Sequence, residues 1–135
     1  SDNSEYFIYQ YNISNEDKKR IRFLSNIFFK NLDKNTFKEK NLWKILYFNG
    51  KDYLNDLFNY KIFQNKNLDK KIVKLKNFFD NQEVPRFEIK AKTLIENYNY
   101  KEGKELGNKL KEIEEFWIDN SFKISKEELN KIVKN

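Results

Sequence analysis

The 135-residue chain contains a single proline, Pro85, and apolar residues recur at helical spacing on both sides of it. A proline disfavours the helical conformation for the residue before it, so Pro85 predicts a break in an otherwise helical chain. The short alternating stretch Tyr6–Ile13 has no second strand-like segment to pair with, and we predict it to be non-helical. The sequence therefore predicts an all-α assembly of about six short helices, in which a body-like region (residues 1–84) and a tail-like region (residues 85–135) pack together as one unit.

Side chains that can cap free backbone amides predict where the helices begin. Ser14 is followed by Glu16 and Asp17 in the first turn of a helix, where the helix dipole favours anions. Asp69, or Asn67, is placed to cap the last helix before Pro85. Three further segments have the spacing of a capping box, in which two side chains bond each other's backbone amides, and these are Thr36–Glu39, Thr93–Glu96 and Ser125–Glu128.

Further helices are predicted to begin near Asp52 and Glu102, and Gly50 and either Asn97 or Asn99 are placed to end helices with a positive φ. Each helix carries one apolar stripe at a spacing of three and four residues, as expected of helices that share a core. The predicted stripes are Ile21, Leu24, Phe28 and Leu32; Phe37 (or Leu42), Trp43, Leu46 and Tyr47; Leu54, Leu57, Phe58 and Ile62; Leu68, Ile72, Leu75, Phe78 and Phe79; Leu106, Leu110, Ile113 and Trp117; and Leu129, Ile132 and Val133.

The composition excludes several kinds of catalytic site. The chain has no cysteine and no histidine, which rules out disulfides, thiolate metal sites and nucleophiles activated by histidine. It has no methionine even at position 1, so we expect it to be either a cut piece of a longer protein or a processed product. It also has no apolar run long enough to span a membrane. A net charge of +6 favours a polyanionic partner, chiefly nucleic acid.

The segment from Pro85 to Val133 resembles the C-terminal region of bacterial CCA-adding tRNA nucleotidyltransferases and their poly(A) polymerase relatives. The resemblance lies in the order of a Pro-Phe-type start, a short capped helix, a helix opened by Gly103 and Gly107 that ends near Trp117, and a capped terminal helix. Ala91-Lys92-Thr93-Leu94 stands where the family usually has Gly-x-Asp-Leu.

Looser resemblance extends toward the N-terminus. Tyr11–Asn15 is similar to the family's Leu-Arg-Leu-Ser-Asn segment, and Leu46–Gly50 is similar to its Leu-Tyr-Arg-x-Gly segment, with Phe48 in place of Arg.

The resemblance implies a cytoplasmic transferase whose C-terminal part holds tRNA while an N-terminal catalytic part of the same protein adds nucleotides. Magnesium, CTP and ATP would serve that missing part, and no cofactor, metal or catalytic residue is expected in this chain. The chain has no Asp-x-Asp metal pair, and we expect no nucleotide-selecting template of the Glu-Asp-x-x-Arg pattern to occur in it either. The alternative interpretation is a non-enzymatic, all-α protein-interaction module.

RNA contact is expected mainly around the two glycines. Gly103 and Gly107 are expected to pack closely against an aromatic ring, such as Phe87 or Phe122, or to expose helix amides to a phosphate. The two interpretations are compatible, because one glycine could serve each. Tyr98 and Tyr100 either pack or meet a base, whereas Trp43 and Trp117 are expected in the core. The expected phosphate contacts are Lys90, Lys92, Lys101, Lys104 and Lys109. A second cluster, Lys18, Lys19, Arg20 and Arg22, either contacts RNA as well or forms only a solvated helix face.

Overall fold

The computed structural model of the chain describes residues 14–29, 33–64, 67 and 69–134. Within these ranges the chain forms helices joined by turns and contains no β-strand, which confirms the predicted all-α class. Seven of the described helices have eight or more residues, close to the predicted number. In chain order the elements are α1 (Asn15–Phe29), the single turn α2 (Asp33–Thr36), α3 (Glu39–Asn49), α4 (Lys51–Gln64), α5 (Lys70–Asp80), α6 (Ala91–Tyr98), α7 (Lys104–Asp119) and α8 (Lys126–Lys134).

Some sequence-based expectations lie outside these ranges. The stretch Tyr6–Ile13 and the core positions Leu32 and Leu68 are not among the described residues, and neither is the side chain of Phe28.

The contacts of the chain divide it into two compact units, Ser1–Val84 and Pro85–Asn135. The division falls at the single proline, within a non-helical segment that runs from residue 82 to residue 90. We call these unit 1 and unit 2.

Helix α4 is the centre of unit 1 and packs against α1, α3 and α5. Leu57 and Phe58 of α4 are almost fully buried, as are Leu42 and Leu46 of α3. Phe79 of α5 completes this core by packing on Phe58, with ring centroids 6.1 Å apart. The fully buried residues are therefore those that the helical spacing predicted to share a face.

Unit 2 is built on α7, which contacts both α6 and α8. Its core brings together Leu94, Leu106, Ile113 and Val133, one or more from each helix. Trp117, near the end of α7, is 7% exposed and confirms the expectation that this tryptophan belongs to the core.

Three of the predicted N-terminal caps are confirmed. The backbone amide of Asp17 donates to Ser14 Oγ at 3.2 Å, and that of Lys71 donates to Asp69 Oδ1 at 3.0 Å. Ser125 and Glu128 form a reciprocal capping box, with the Glu128 amide 3.0 Å from Ser125 Oγ and the Ser125 amide 2.9 Å from Glu128 Oε1. Each of these pairs is three residues apart or fewer, so the sequence alone specifies them.

Two predicted helix ends are also confirmed. Gly50 ends α3 with φ of +93°, and Asn99 ends α6 in the left-handed conformation with φ of +61°. The amides of both residues donate to carbonyls of the preceding helix, as expected for C-terminal caps.

The other two predicted capping boxes are wrong. Helix α3 begins at Glu39 after Lys38, while Thr36 is a buried residue at the end of the turn α2. Helix α6 begins at Ala91, which places Thr93 inside the helix. Burial explains the second case, because Ala91 joins Leu94 and Ile95 against the core and thereby extends the apolar stripe of the helix toward its N-terminus.

Candidate nucleic-acid interface

The loop between α6 and α7 presents the start of α7 to solvent. Asn99 turns the chain out of α6, and Gly103 serves as the N-cap of α7 with φ of +143°. No side chain caps this helix, and the first backbone bond across its end joins the Gly107 amide to the Gly103 carbonyl at 3.2 Å. The amides of the first helical turn thus lack acceptors within the helix, which is the usual situation at an uncapped N-terminus.

Three of the predicted phosphate contacts are exposed, two of them at this helix start and the third at the far end of α6. Lys101 and Lys104 flank Gly103, and Lys90 is the N-cap of α6. None of the three has an acidic partner within 4 Å among the residues that the structure describes. Their ammonium groups are therefore available to a ligand of opposite charge.

The remaining two predicted lysines have protein partners. Lys92 lies 3.8 Å from Glu96 on the exposed side of α6. Lys109 is only 12% exposed and places Nζ 3.0 Å from Glu112 Oε2 and 3.1 Å from the carbonyl of Ile132. The hydrogen bond to Glu112 raises the pKa of Lys109 above its ordinary value, against the opposing effect of burial. Lys109 therefore fixes the C-terminal turn of α8 to α7, and its contact with RNA stays a prediction.

The close-packing interpretation of the glycines is wrong. A Cβ atom placed on Gly103 or Gly107 would meet nothing within 4 Å, and both residues are exposed. The aromatic rings expected to approach them, Phe87 and Phe122, instead pack on Trp117 at centroid distances of 5.2 and 5.0 Å. Gly103 is required by its positive φ, whereas no neighbouring atom within 4 Å requires a glycine at position 107.

Both tyrosines near the loop have structural roles. The Tyr98 hydroxyl donates to Asn130 Oδ1, and the Tyr100 hydroxyl donates to the Val133 carbonyl at 3.0 Å. Both rings pack against the core of unit 2, where Tyr98 joins α6 to α8 and Tyr100 joins the α6–α7 loop to α8. These contacts favour the packing interpretation over stacking on a base.

A shallow cleft of about 650 Å³ lies beside the start of α7 and reaches the end of α8. Lys104 and Lys134 line it together with Asn108. Lys134 was not predicted to belong to this surface, because it is far from Lys104 in the sequence and only the packing of α8 on α7 brings the two together.

The second predicted cluster lies on α1, and its members are not equivalent. Arg20 forms a two-pronged salt bridge with Asp56 of α4, with Nε 2.6 Å from Oδ2 and Nη2 2.6 Å from Oδ1. This hydrogen-bonded pairing, together with the charges around it, raises the pKa of Arg20 further above its already high ordinary value. Lys19 lies 4.0 Å from Glu16, while Lys18 has no acidic partner within 4 Å among the described residues. Arg20 thus joins α1 to α4, a role that the spacing within α1 could not reveal.

The expectation that no Glu-Asp-x-x-Arg pattern occurs in the chain is wrong. Glu16-Asp17-Lys18-Lys19-Arg20 has that spacing. Two of the three guanidinium nitrogens of Arg20 bond Asp56 at 2.6 Å, and the third lies 3.7 Å from Asp17. The pattern at this position therefore has a structural explanation in the contact between helices.

The positive charge of the chain is concentrated in unit 1. Residues 1–84 contain 16 Lys and Arg against 11 Asp and Glu, a net charge of +5, whereas residues 85–135 contain 11 against 10, a net charge of +1. The five lysines predicted first as phosphate contacts lie in unit 2, whereas the second predicted cluster on α1 lies in the more positive unit 1. Long-range attraction of a polyanion would act mainly on unit 1.

Among the described residues, no group of three or more Asp and Glu side chains is arranged to hold a metal ion. None of the helices in the described ranges combines the length and apolar character needed to cross a bilayer.

No family model matches the chain, and neither the curated proteins nor the solved structures contain a match to it.

Proposed function

We propose that this chain is the tRNA-binding C-terminal portion of a CCA-adding tRNA nucleotidyltransferase or of a related poly(A) polymerase family protein. In this proposal the chain holds tRNA in the cytoplasm, while an N-terminal catalytic part of the same protein transfers nucleotides from CTP and ATP with magnesium. The chain itself would add no nucleotides to tRNA.

The observation that carries the RNA-binding part of the proposal is the exposed start of α7. Lys101 and Lys104 flank Gly103 without acidic partners within 4 Å among the described residues, next to backbone amides that α7 itself does not satisfy. Flexible cations beside free amides suit phosphate oxygens, since each supplies hydrogen-bond donors at the place where negative charge would lie. The order of Pro85, the glycine-opened helix, Trp117 and the Ser125 capping box supports the assignment to this family.

The test is a titration of the full chain with folded tRNA at two salt concentrations. Replacing Lys101 and Lys104 together by Gln should weaken binding and flatten the dependence of log K on log salt by roughly one unit for each phosphate that is no longer neutralised. The matched control is Lys123→Gln with Lys126→Gln, a pair of exposed lysines at the other end of α7, about 20 Å away along the helix. Equal affinities and slopes for both double variants, with unchanged circular dichroism, would refute the assignment.

A second measurement tests the division of labour. The chain incubated with tRNA, CTP, ATP and magnesium should extend no RNA, since its acidic residues form no metal-binding group within the described ranges. Extension that persists through purification and is abolished by a chelator would contradict this expectation.

The alternative function, a protein-interaction module, is favoured by one observation. Phe63 is 91% exposed and Phe48 is 64% exposed, and exposed aromatic rings are common in protein interfaces. If that alternative holds, tRNA binding should be weak and insensitive to the Lys101 and Lys104 substitutions.

A further inference from the structure

The sides of α3 and α5 that meet at Trp43 and Phe78 combine aromatic rings with lysines. Phe78 is 42% exposed and packs edge-on against Trp43, with ring centroids 6.1 Å apart. Its neighbour Phe79 is buried and packs on the same indole at 5.1 Å. The contact with Trp43 thus fixes one side of the Phe78 ring, while another part of the ring is exposed to solvent.

Lysines continue this surface along both helices. Lys71, Lys74 and Phe78 are three and seven residues apart and share one side of α5. Lys40 and Trp43 are three residues apart and share one side of α3. The three lysines and the two rings together are called the Phe78 surface below.

The lysines of the Phe78 surface form no ion pairs among the described residues. Lys40, Lys71 and Lys74 are exposed, and none has an acidic group within 4 Å among the described residues. Helix α5 has no acidic residue in its first turn, and its one acidic residue, Asp80, is bonded to Lys76 at 2.9 Å. The surface belongs to unit 1, which carries a net charge of +5.

We propose that the Phe78 surface binds single-stranded nucleic acid by stacking a base on Phe78 and contacting the flanking phosphates with Lys71, Lys74 and Lys40. Single strands are the ligand that needs both features, because an unpaired base offers a π-face to an aromatic ring and its phosphates are attracted to lysines at a spacing of several ångströms. A double helix keeps its bases stacked internally and would use only the lysines. The proposal does not depend on the proposed function, since it concerns another unit of the chain and does not require tRNA.

The experiment uses Trp43 as the reporter in the full chain. Trp117→Phe leaves Trp43 as the only tryptophan, and a base stacked on Phe78 should change its fluorescence because the two rings are in contact. The ligands are short oligo(A) of RNA, oligo(dA) of DNA and a blunt RNA duplex. Binding of both single strands with comparable affinity, and weaker binding of the duplex, is the expected result, whereas equal affinity for duplex and single strands would overturn the stacking proposal.

Two variants test the two parts of the surface. Phe78→Leu keeps an apolar side chain against Trp43 but removes the π-face, and it should weaken single-strand binding at least about fivefold. Lys71→Gln with Lys74→Gln should lower the salt dependence by about 0.7 for each phosphate that is no longer neutralised. Fluorescence anisotropy of labelled oligonucleotides compares the affinities of the wild type and the variants without relying on Trp43.

The matched control is Phe63→Leu. Phe63 is more exposed than Phe78, and it follows the buried Phe58 by five residues, which places it well away from the buried side of α4. Its substitution should leave binding unchanged. Equal losses of affinity for Phe63→Leu and Phe78→Leu, or no binding of any oligonucleotide to a folded chain, would overturn the proposal.

Discussion

The salt bridge between Arg20 and Asp56 gives a quantitative prediction about how unit 1 is held together. The two residues are 36 positions apart, and each of two guanidinium nitrogens lies 2.6 Å from a carboxylate oxygen. The Arg20 side chain is 34% exposed and that of Asp56 is 19% exposed. The pair therefore lies between a surface pair, which contributes about 0–1 kcal/mol, and a buried pair, whose disruption costs about 3–5 kcal/mol. We expect a coupling free energy of about 1–2 kcal/mol.

The two single substitutions should differ in cost. Arg20→Met leaves the Asp56 carboxylate mostly buried and without its partner, which adds a desolvation cost. Asp56→Asn leaves Arg20 with a second carboxylate, that of Asp17 at 3.7 Å, and with more exposure to water. Arg20→Met should therefore lower the free energy of unfolding more than Asp56→Asn does.

The assay is a double-mutant cycle by urea unfolding. Trp43 lies in unit 1 and Trp117 in unit 2, so Trp117→Phe gives a fluorescence signal that reports unit 1, and far-ultraviolet circular dichroism reports the whole chain. The four proteins of the cycle give the coupling directly. A coupling free energy below about 0.3 kcal/mol would refute the assignment of Arg20 to the α1–α4 contact. Arg20 would then be interpreted as part of the solvated helix face expected from the sequence.

Three further predictions concern unit 2. Ser125→Ala should lower the free energy of unfolding by about 1 kcal/mol, because Ser125 caps α8. Thr93→Ala should change it by less than about 0.5 kcal/mol, because Thr93 lies inside its helix and caps nothing. Parallel urea titrations compare the two variants, and equal effects would contradict the observed helix starts. Gly107→Ala should raise the free energy of unfolding, measured by thermal denaturation, by about 0.5–1 kcal/mol, because position 107 has open space. Gly103→Ala should lower it, because position 103 has a positive φ. A decrease in stability at position 107 would reveal a constraint absent from the structure. Lys109→Gln should cost about 1 kcal/mol near neutral pH by removing the bonds to Glu112 and Ile132. Because the pKa of Lys109 is raised in the folded state, its stabilisation is complete below the ordinary lysine pKa and is lost as pH rises through the folded pKa. The wild type should therefore lose its advantage in unfolding free energy over the variant in strongly alkaline buffer. A difference in unfolding free energy that stays constant with pH would refute the pairing.

The all-α class and most helix boundaries follow from local features of the sequence. Ser14, Asp69 and Ser125 cap helices as their positions predicted, and Gly50 and Asn99 end helices with positive φ. These features are predictable because each depends on atoms within a few residues of one another. The apolar stripes were predictable for a related reason, since helical spacing alone decides which side chains share a face.

The partners of the charged residues, in contrast, depend on tertiary packing. Arg20 and Lys109 have the spacing of exposed basic residues, yet they bond a carboxylate 36 residues away and a carbonyl 23 residues away. Such contacts depend on how one helix lies against another. The pattern within one helix predicts which face is buried, but the partner of a side chain on the boundary of that face is set by the neighbouring helix.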